Sequence, residues 1–263
     1  MNAARIQAVI AKDWAELARD RGLLVTTLGI PFLFVAVFLG LAIAMPGVED
    51  PALLDALRSS SSSAGTENLA PHQAQRILVL RPFVLLLLMI PEVAASAIAA
   101  HSIVGEKRAR TLEPLLATPI TTGELMTAKC LVAGIPGVLL TWLLFGLSAA
   151  ALWGLTSPEV ARGVLGGPAL LLVFLIAPLI ALLALGLGVI ASARASDART
   201  AQQIGVVIIL PLMGLLILQL GGAWRLSPGA ILVWAGVLAV LDALVLGAGV
   251  ALFRRETILT RWR

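Results

Sequence analysis

The chain has 263 residues, of which 59% are hydrophobic and 13% charged, where a soluble domain carries about 25% charged residues. This balance excludes an ordinary soluble enzyme and points to a polytopic membrane protein. The net charge of +4 does not argue for nucleic acid, because the basic residues are spread among short polar segments rather than gathered in a patch. A lone Cys130 allows no disulfide framework and reads as an inert thiol at the start of an apolar run.

Residues 1–22 carry Ile6, Val9, Ile10, Trp14 and Leu17 at helical spacing. Arg5, Lys12, Asp13, Glu16, Arg19 and Asp20 are assigned to the other face. The pattern predicts an amphipathic helix lying at the membrane surface, with Trp14 at headgroup level. A cleaved signal peptide ending near Ala42-Ile43-Ala44 is the competing reading. The charged region before it is too long, and the apolar run that follows exceeds a signal core.

A first span is predicted at about 23–45, long enough for a ~30 Å hydrocarbon core at ~1.5 Å per residue. Pro31 within it predicts a kink. Residues 46–80 read as a polar excursion, with a Ser-rich flexible centre at 59–65 and a short helix near 51–57. Further spans are predicted at about 82–103, 131–153, 165–192, 204–220 and 229–253. Pro178 is expected to break the fourth, and a short loop at 154–163 joins the third to the fourth. No repeat at a fixed period is present.

Between the second and third spans lies the polar segment 104–130. Leu112, Leu115 and Leu116 fall on one helical face, opposite Glu106, Lys107, Arg108, Arg110 and Glu113. Pro114 and Pro119 punctuate it. Thr121 or Thr122 followed by Glu124 predicts a helix start, with a hydroxyl to cap free amides and an acid in the first turn. Such a segment either fixes topology as an ordinary charged loop or carries force from a soluble partner into the spans.

Lys and Arg set the orientation. Four lie in the N-terminal segment, four in the central segment, two at 193–203 and four in the tail. On the other side stand Arg58, Arg76, Arg81, Arg162 and Arg225. The richer side is expected in the cytoplasm, giving six spans with both termini inside. Trp153 and Trp224 at the outer boundary, with Trp14 and Trp262 at the inner one, agree with that arrangement.

The run Ile103–Lys129 carries Glu106-Lys107, Thr111-Leu112-Glu113, Leu115-Leu116, Thr118-Pro119, Glu124 and Lys129 in order. It resembles the cytoplasmic segment of the permease subunits of type-2 ATP-binding-cassette exporters. The tail from Phe253 to Trp262 is similar to the end of the branch labelled sodium-efflux or drug-export. Ala109-Arg110 departs from the family's pattern, where many relatives carry Gly before the Thr. The two motifs cover roughly forty residues, and the span count extends the likeness over the chain.

The resemblance implies that the loop after the second span is a coupling element seated in a cleft of a separate ATPase subunit, with the N-terminal helix beside it. It implies coupling roles for Glu106, Lys107, Thr111, Leu112, Glu113, Leu115, Leu116, Thr118, Pro119 and Glu124. ATP and magnesium would belong to that partner, with no cofactor in this chain. A second permease copy, identical or related, is expected as well, since six spans enclose little space alone.

The residue chemistry agrees with a borrowed energy source. None of the three lysines, Lys12, Lys107 and Lys129, follows Gly in a phosphate-binding loop. His72 and His101 both fall outside span interiors and are not four apart, which argues against an intramembrane serine or metalloprotease. Glu92 and Asp242 are placed near the bilayer middle, where an ionised carboxylate costs ~2.5–3.5 kcal/mol. Each is a candidate for a cation, a proton or a basic group on a substrate, or else is neutral or internally bonded. The expected whole is an all-α integral membrane protein: one transmembrane domain over 1–263 with six spans, an N-terminal interfacial helix and a cytosolic coupling segment. Its expected function is the membrane subunit of an ATP-driven exporter in the cell membrane, for an amphipathic drug, lipid or peptide, or sodium. The alternative is an ATP-independent secondary transporter or channel-like protein using Glu92 and Asp242.

Overall fold

Each apolar run must satisfy its own backbone groups if it is to stand in lipid, and the α-helix is the single-segment solution. The computed structural model describes residues 3–44, 69–108, 122–194, 209–220 and 227–252, and every regular element among them is helical. In chain order these are α1 (Ala3–Leu17), α2 (Arg21–Ala44), α3 (Pro71–Leu87), α4 (Met89–Arg108) and α5 (Thr122–Leu155). They continue with α6 (Pro158–Val164), α7 (Gly167–Leu171), a π-helical turn Leu172–Ile176, α8 (Ala177–Arg194), α9 (Ile209–Leu220) and α10 (Pro228–Leu252).

Five stretches are long and apolar enough to cross a membrane: Thr27–Ala44, His72–Ala99, Thr127–Leu155, Gly167–Ala191 and Pro228–Gly249. They match the first, second, third, fourth and sixth spans expected from the sequence. The expected fifth, 204–220, is described only as α9. Twelve residues of helix rise ~18 Å, short of the ~30 Å core, so the described residues support five spans.

The second span departs from expectation in its N-terminal boundary. The polar excursion was expected to run to residue 80, but helix begins at Pro71, a residue suited to a first helical position because its missing N–H is an orphan there anyway. Ile77, Leu78 and Leu80 are buried, so this polar-looking start is held by packing. The helix pauses at Leu88, where the backbone makes a tight turn onto the Leu85 carbonyl. Pro91 explains the pause: it has no N–H for the Leu87 carbonyl, and its ring crowds that oxygen.

The expected loop at 154–163 is likewise helical over Pro158–Val164, because α3 gives it a surface to pack on. Arg81 donates to the Gly163 carbonyl from Nε (3.2 Å) and Nη2 (2.9 Å), and Gln73 Nε2 donates to Ser157 Oγ at 3.3 Å. Gly163 is a close approach: any Cβ there would collide with Ile77.

Contrary to the break expected at Pro178, the fourth span is not interrupted there; a π-helical turn precedes it and the helix continues. The Ala177 N–H reaches the Leu172 carbonyl, five residues back. In that register the Val173 carbonyl would be bonded by residue 178, and proline has no N–H to give. Trp142 of α5 supplies the missing donor, its indole Nε1 lying 3.1 Å from the Val173 oxygen.

Helix α8 lies at the centre, packed on α4, α5 and α10. Small residues bring these helices close. A Cβ on Gly188 would lie 3.2 Å from that of Ala99, and one on Gly186 would lie 2.5 Å from Val245 Cγ1. Among the five spans, α2 and α10 are the most exposed, with Val25 and Val233 each 69% accessible, as suits faces turned to lipid.

Candidate functional site

Helix α1 starts with the apolar stripe expected of it, and Ile6, Val9 and Ile10 pack on Leu125 and Ala128 of α5. Asp13 overturns its assignment to the polar face. It lies four residues after Val9 and seven after Ile6, on the same stripe, and only 3% of it is exposed. Trp14 is the more exposed of the pair, at 46%.

Lys129 of α5, 5% exposed, explains the burial of Asp13. Its ammonium donates to Ser102 Oγ at 2.7 Å and to Asp13 Oδ2 at 3.5 Å, and the Ser102 hydroxyl donates to the same carboxylate oxygen at 3.2 Å. The other oxygen, Oδ1, stands 3.7 Å from Lys12 Nζ. Three helices therefore meet in one buried polar junction: α1 through Asp13, α4 through Ser102 and α5 through Lys129. Ser102 stands just before the segment 104–130 and Lys129 near its end, so Asp13 ties its two ends together. A pair buried this way is stable only with its partners in place, since either charge alone would be desolvated without compensation.

The expected coupling residues divide around this junction. Helix α4 carries the backbone of Glu106 and Lys107 in its last turns. Thr111, Leu112, Glu113, Leu115, Leu116, Thr118 and Pro119 lie outside the described residues. Glu124 is in the first turn of α5, as the start signal at Thr121 or Thr122 predicted. Its carboxylate is buried, with Oε2 3.9 Å from Nη1 of Arg5 on α1. Helix α1 is thus seated on the base of α5 by an apolar patch and two ionic contacts, at Glu124 and Lys129.

The two intramembrane acids are both buried, Glu92 1% exposed and Asp242 5% exposed. Ser96, one turn from Glu92, gives its hydroxyl to the Val93 carbonyl at 3.3 Å. None of the four carboxylate oxygens receives a well-aligned hydrogen bond. Glu92 lies about ten residues, ~15 Å, along α4 from the Ser102 junction, well inside the apolar layer. Among the described residues no group of three or more His, Cys, Asp or Glu side chains could hold a metal ion.

A cavity of about 380 Å³ opens beside α8, walled by Leu88, Leu183, Leu187, Leu212, Trp234 and Leu238 among others. Its lining is almost wholly hydrocarbon, and its size falls within the about 300–1,000 Å³ of small-molecule sites.

Sequence reasoning singled out Glu92, Asp242 and Glu124 but did not connect Asp13, Ser102 and Lys129. The signal was present in the i, i+4, i+7 spacing of Ile6, Val9 and Asp13, which puts a carboxylate on an apolar face. No curated protein matches the chain. A family model described as ABC-2 type transporter matches residues 4–216, from α1 through most of α9.

Proposed function

This chain belongs to the ABC-2 type transporter family, and on that premise we propose that it is the membrane-spanning subunit of an ATP-driven exporter, energised by a separate ATPase docking on residues 104–130. The ATPase binds ATP and magnesium; this chain contributes the path and no catalysis of its own. Two permease copies, identical or related, form the path between them in the cell membrane, with both termini of each copy in the cytoplasm.

The observation that carries this reading is the Asp13–Ser102–Lys129 junction. A loop that merely fixed topology would have no need of a buried ionic tie between its ends. With the tie, displacement of the segment moves α1, α4 and α5 together, which is what a lever needs. Leu112, Leu115 and Leu116 supply the apolar face toward the ATPase, and Glu106 and Glu113 pair with its basic groups. Lys107, Thr111, Thr118, Pro119 and Glu124 shape the segment and its return into α5. The apolar spans favour an amphipathic drug, lipid or peptide as substrate, with sodium next.

Co-purification tests the reading. A bound ATPase whose turnover falls when Glu113→Lys is introduced supports it; a permease that transports with no ATPase attached overturns it. That second outcome would favour an ATP-independent carrier working through Glu92 and Asp242, whose burial inside the spans is the observation on its side.

A further inference from the structure

We infer that the cavity beside α8 is a slot for one acyl chain of a bilayer lipid, entered sideways from the membrane between α9 and α10. Its outline comes from how the last helices are packed. The described turns of α9 rest on α3 and α4 rather than closing on α8 or α10. The gap so left is the cavity, lined by Leu212 and Leu215 of α9 and by Leu183 and Leu187 of α8. Helix α10 forms a further wall, through a stripe of helical spacing that runs from Ile231 to Val245.

Shape and direction suit such a chain. The stripe on α10 rises ~21 Å from end to end, so the slot runs along the helix axes and exceeds the ~15 Å hydrocarbon depth of one leaflet. A volume of about 380 Å³ spread over that length is ~18 Å² in section. That is too narrow for a second helix, ~10–12 Å across with its side chains, and enough for one unbranched chain. The slot also opens sideways. Val237 lines it and at the same time belongs to the exposed, lipid-facing stripe of Val233, Val240 and Leu244. Pro211, on the α9 edge, lines it and is exposed too, whereas Ile180 and Leu183 in the α8 wall are buried.

The chemistry of the wall selects the occupant. It presents essentially no polar atom, so water has no partner there and stays out. An ion or a polar headgroup would lose its hydration and receive nothing in return. Left empty, the slot forfeits dispersion contacts along its whole length. Acyl chains are the solvent of these helices and stand at the mouth at near-neat concentration. Entry gains them little by hydrophobicity, since lipid is as apolar as leucine, but it fills the void and leaves the headgroup at the interface. The π-helical turn is part of the same wall, through Leu172 and Ile176, and such turns recur at functional sites.

The test places the purified chain in phosphatidylcholine vesicles that hold a trace of phosphatidylcholine with a diazirine on one acyl chain. After illumination, labelled residues are mapped by peptide mass spectrometry. Faces turned to lipid, such as that of Val25 on α2, take label in any case. A chain in the slot is expected to add label at the buried residues Ile180 and Leu183 of α8 and Leu212 of α9. Leu215→Trp puts a larger side chain into the slot and is expected to abolish label at Ile180 while α2 keeps its own. Three results would overturn the site. One is label confined to exposed faces, as when a second copy or other residues of the chain cover the slot. Another is unchanged label at Ile180 in the Leu215→Trp variant. The third is label at Ile180 from a small, freely diffusing aryl diazirine but not from the lipid, which would leave only a void. The distribution of label on the unaltered chain decides the matter even if the variant fails to fold. The site goes beyond the exporter reading and does not rest on it, since no ATPase takes part in the experiment.

Discussion

Lys129 Nζ lies 3.5 Å from Asp13 Oδ2, although 116 positions separate them in the chain. The contact joins an interfacial helix to the base of a membrane span, and Ser102 closes the triangle from a second span. Because both charges are buried, neither tolerates loss of the other. Lys129→Ala is expected to cost about 3–5 kcal/mol, mostly from the carboxylate left behind. The same cost is expected for Asp13→Ala. Thermal unfolding in detergent would measure both, and limited proteolysis would show α1 released from α5. Lys129→Met with Asp13→Leu should recover most of the loss in stability while leaving transport impaired, because it keeps the packing but removes the ionic tie. Full transport by that double variant would show that apolar seating alone suffices for coupling.

Trp142 and Pro178 form a second long-range dependence. The indole N–H answers a carbonyl that proline leaves without a donor. Trp142→Phe keeps a ring against Phe174, whose centroid is 5.4 Å away, and so isolates the hydrogen bond. The expected loss is about 1–2 kcal/mol. In a Pro178→Ala background residue 178 regains an N–H, and the same substitution should then cost a few tenths at most. Equal costs in the two backgrounds, read from unfolding midpoints, would disprove the dependence.

Arg81 supports the junction of α3 with α6 in a comparable way. Its guanidinium grips one carbonyl of α6 from two nitrogens. Arg81→Met retains the aliphatic stem and loses the grip, for an expected cost of about 1.5–3 kcal/mol. A disulfide introduced between α3 and α6 should remove most of that cost. No rescue would place the role of Arg81 elsewhere.

Five of the six expected spans were legible because a bilayer demands a long apolar run and few other structures do. The start of α5 at Thr122 was legible from its hydroxyl and the acid at Glu124. Less could be read where a polar residue type conceals an interior position. Asp13 is charged and was placed with the exposed residues, yet its spacing from Val9 puts it inward; only its partner, more than a hundred residues away, makes that position tenable. Lys129 counted toward topology for the same reason. The first turns of α3, with His72, Gln73, Gln75 and Arg76, look like loop until α6 is known to lie against them. Such pairings are tertiary facts, and no local period encodes them.

Gly186 shows how closely the central helices are fitted, and it offers the sharpest packing test. A Cβ there would sit 2.5 Å from Val245 Cγ1, and a β-branched neighbour has little freedom to turn away. Gly186→Ala should therefore destabilise by about 1–3 kcal/mol through overpacking, even though alanine favours helix by about 1 kcal/mol over glycine. Gly236→Ala, at a site with open space around it, should show only the helix preference and gain slightly. Val245→Ala removes the obstructing methyl groups, so Gly186→Ala in that background should be near neutral or stabilising. If Gly186→Ala proves as benign as Gly236→Ala, then α8 and α10 do not approach each other this closely.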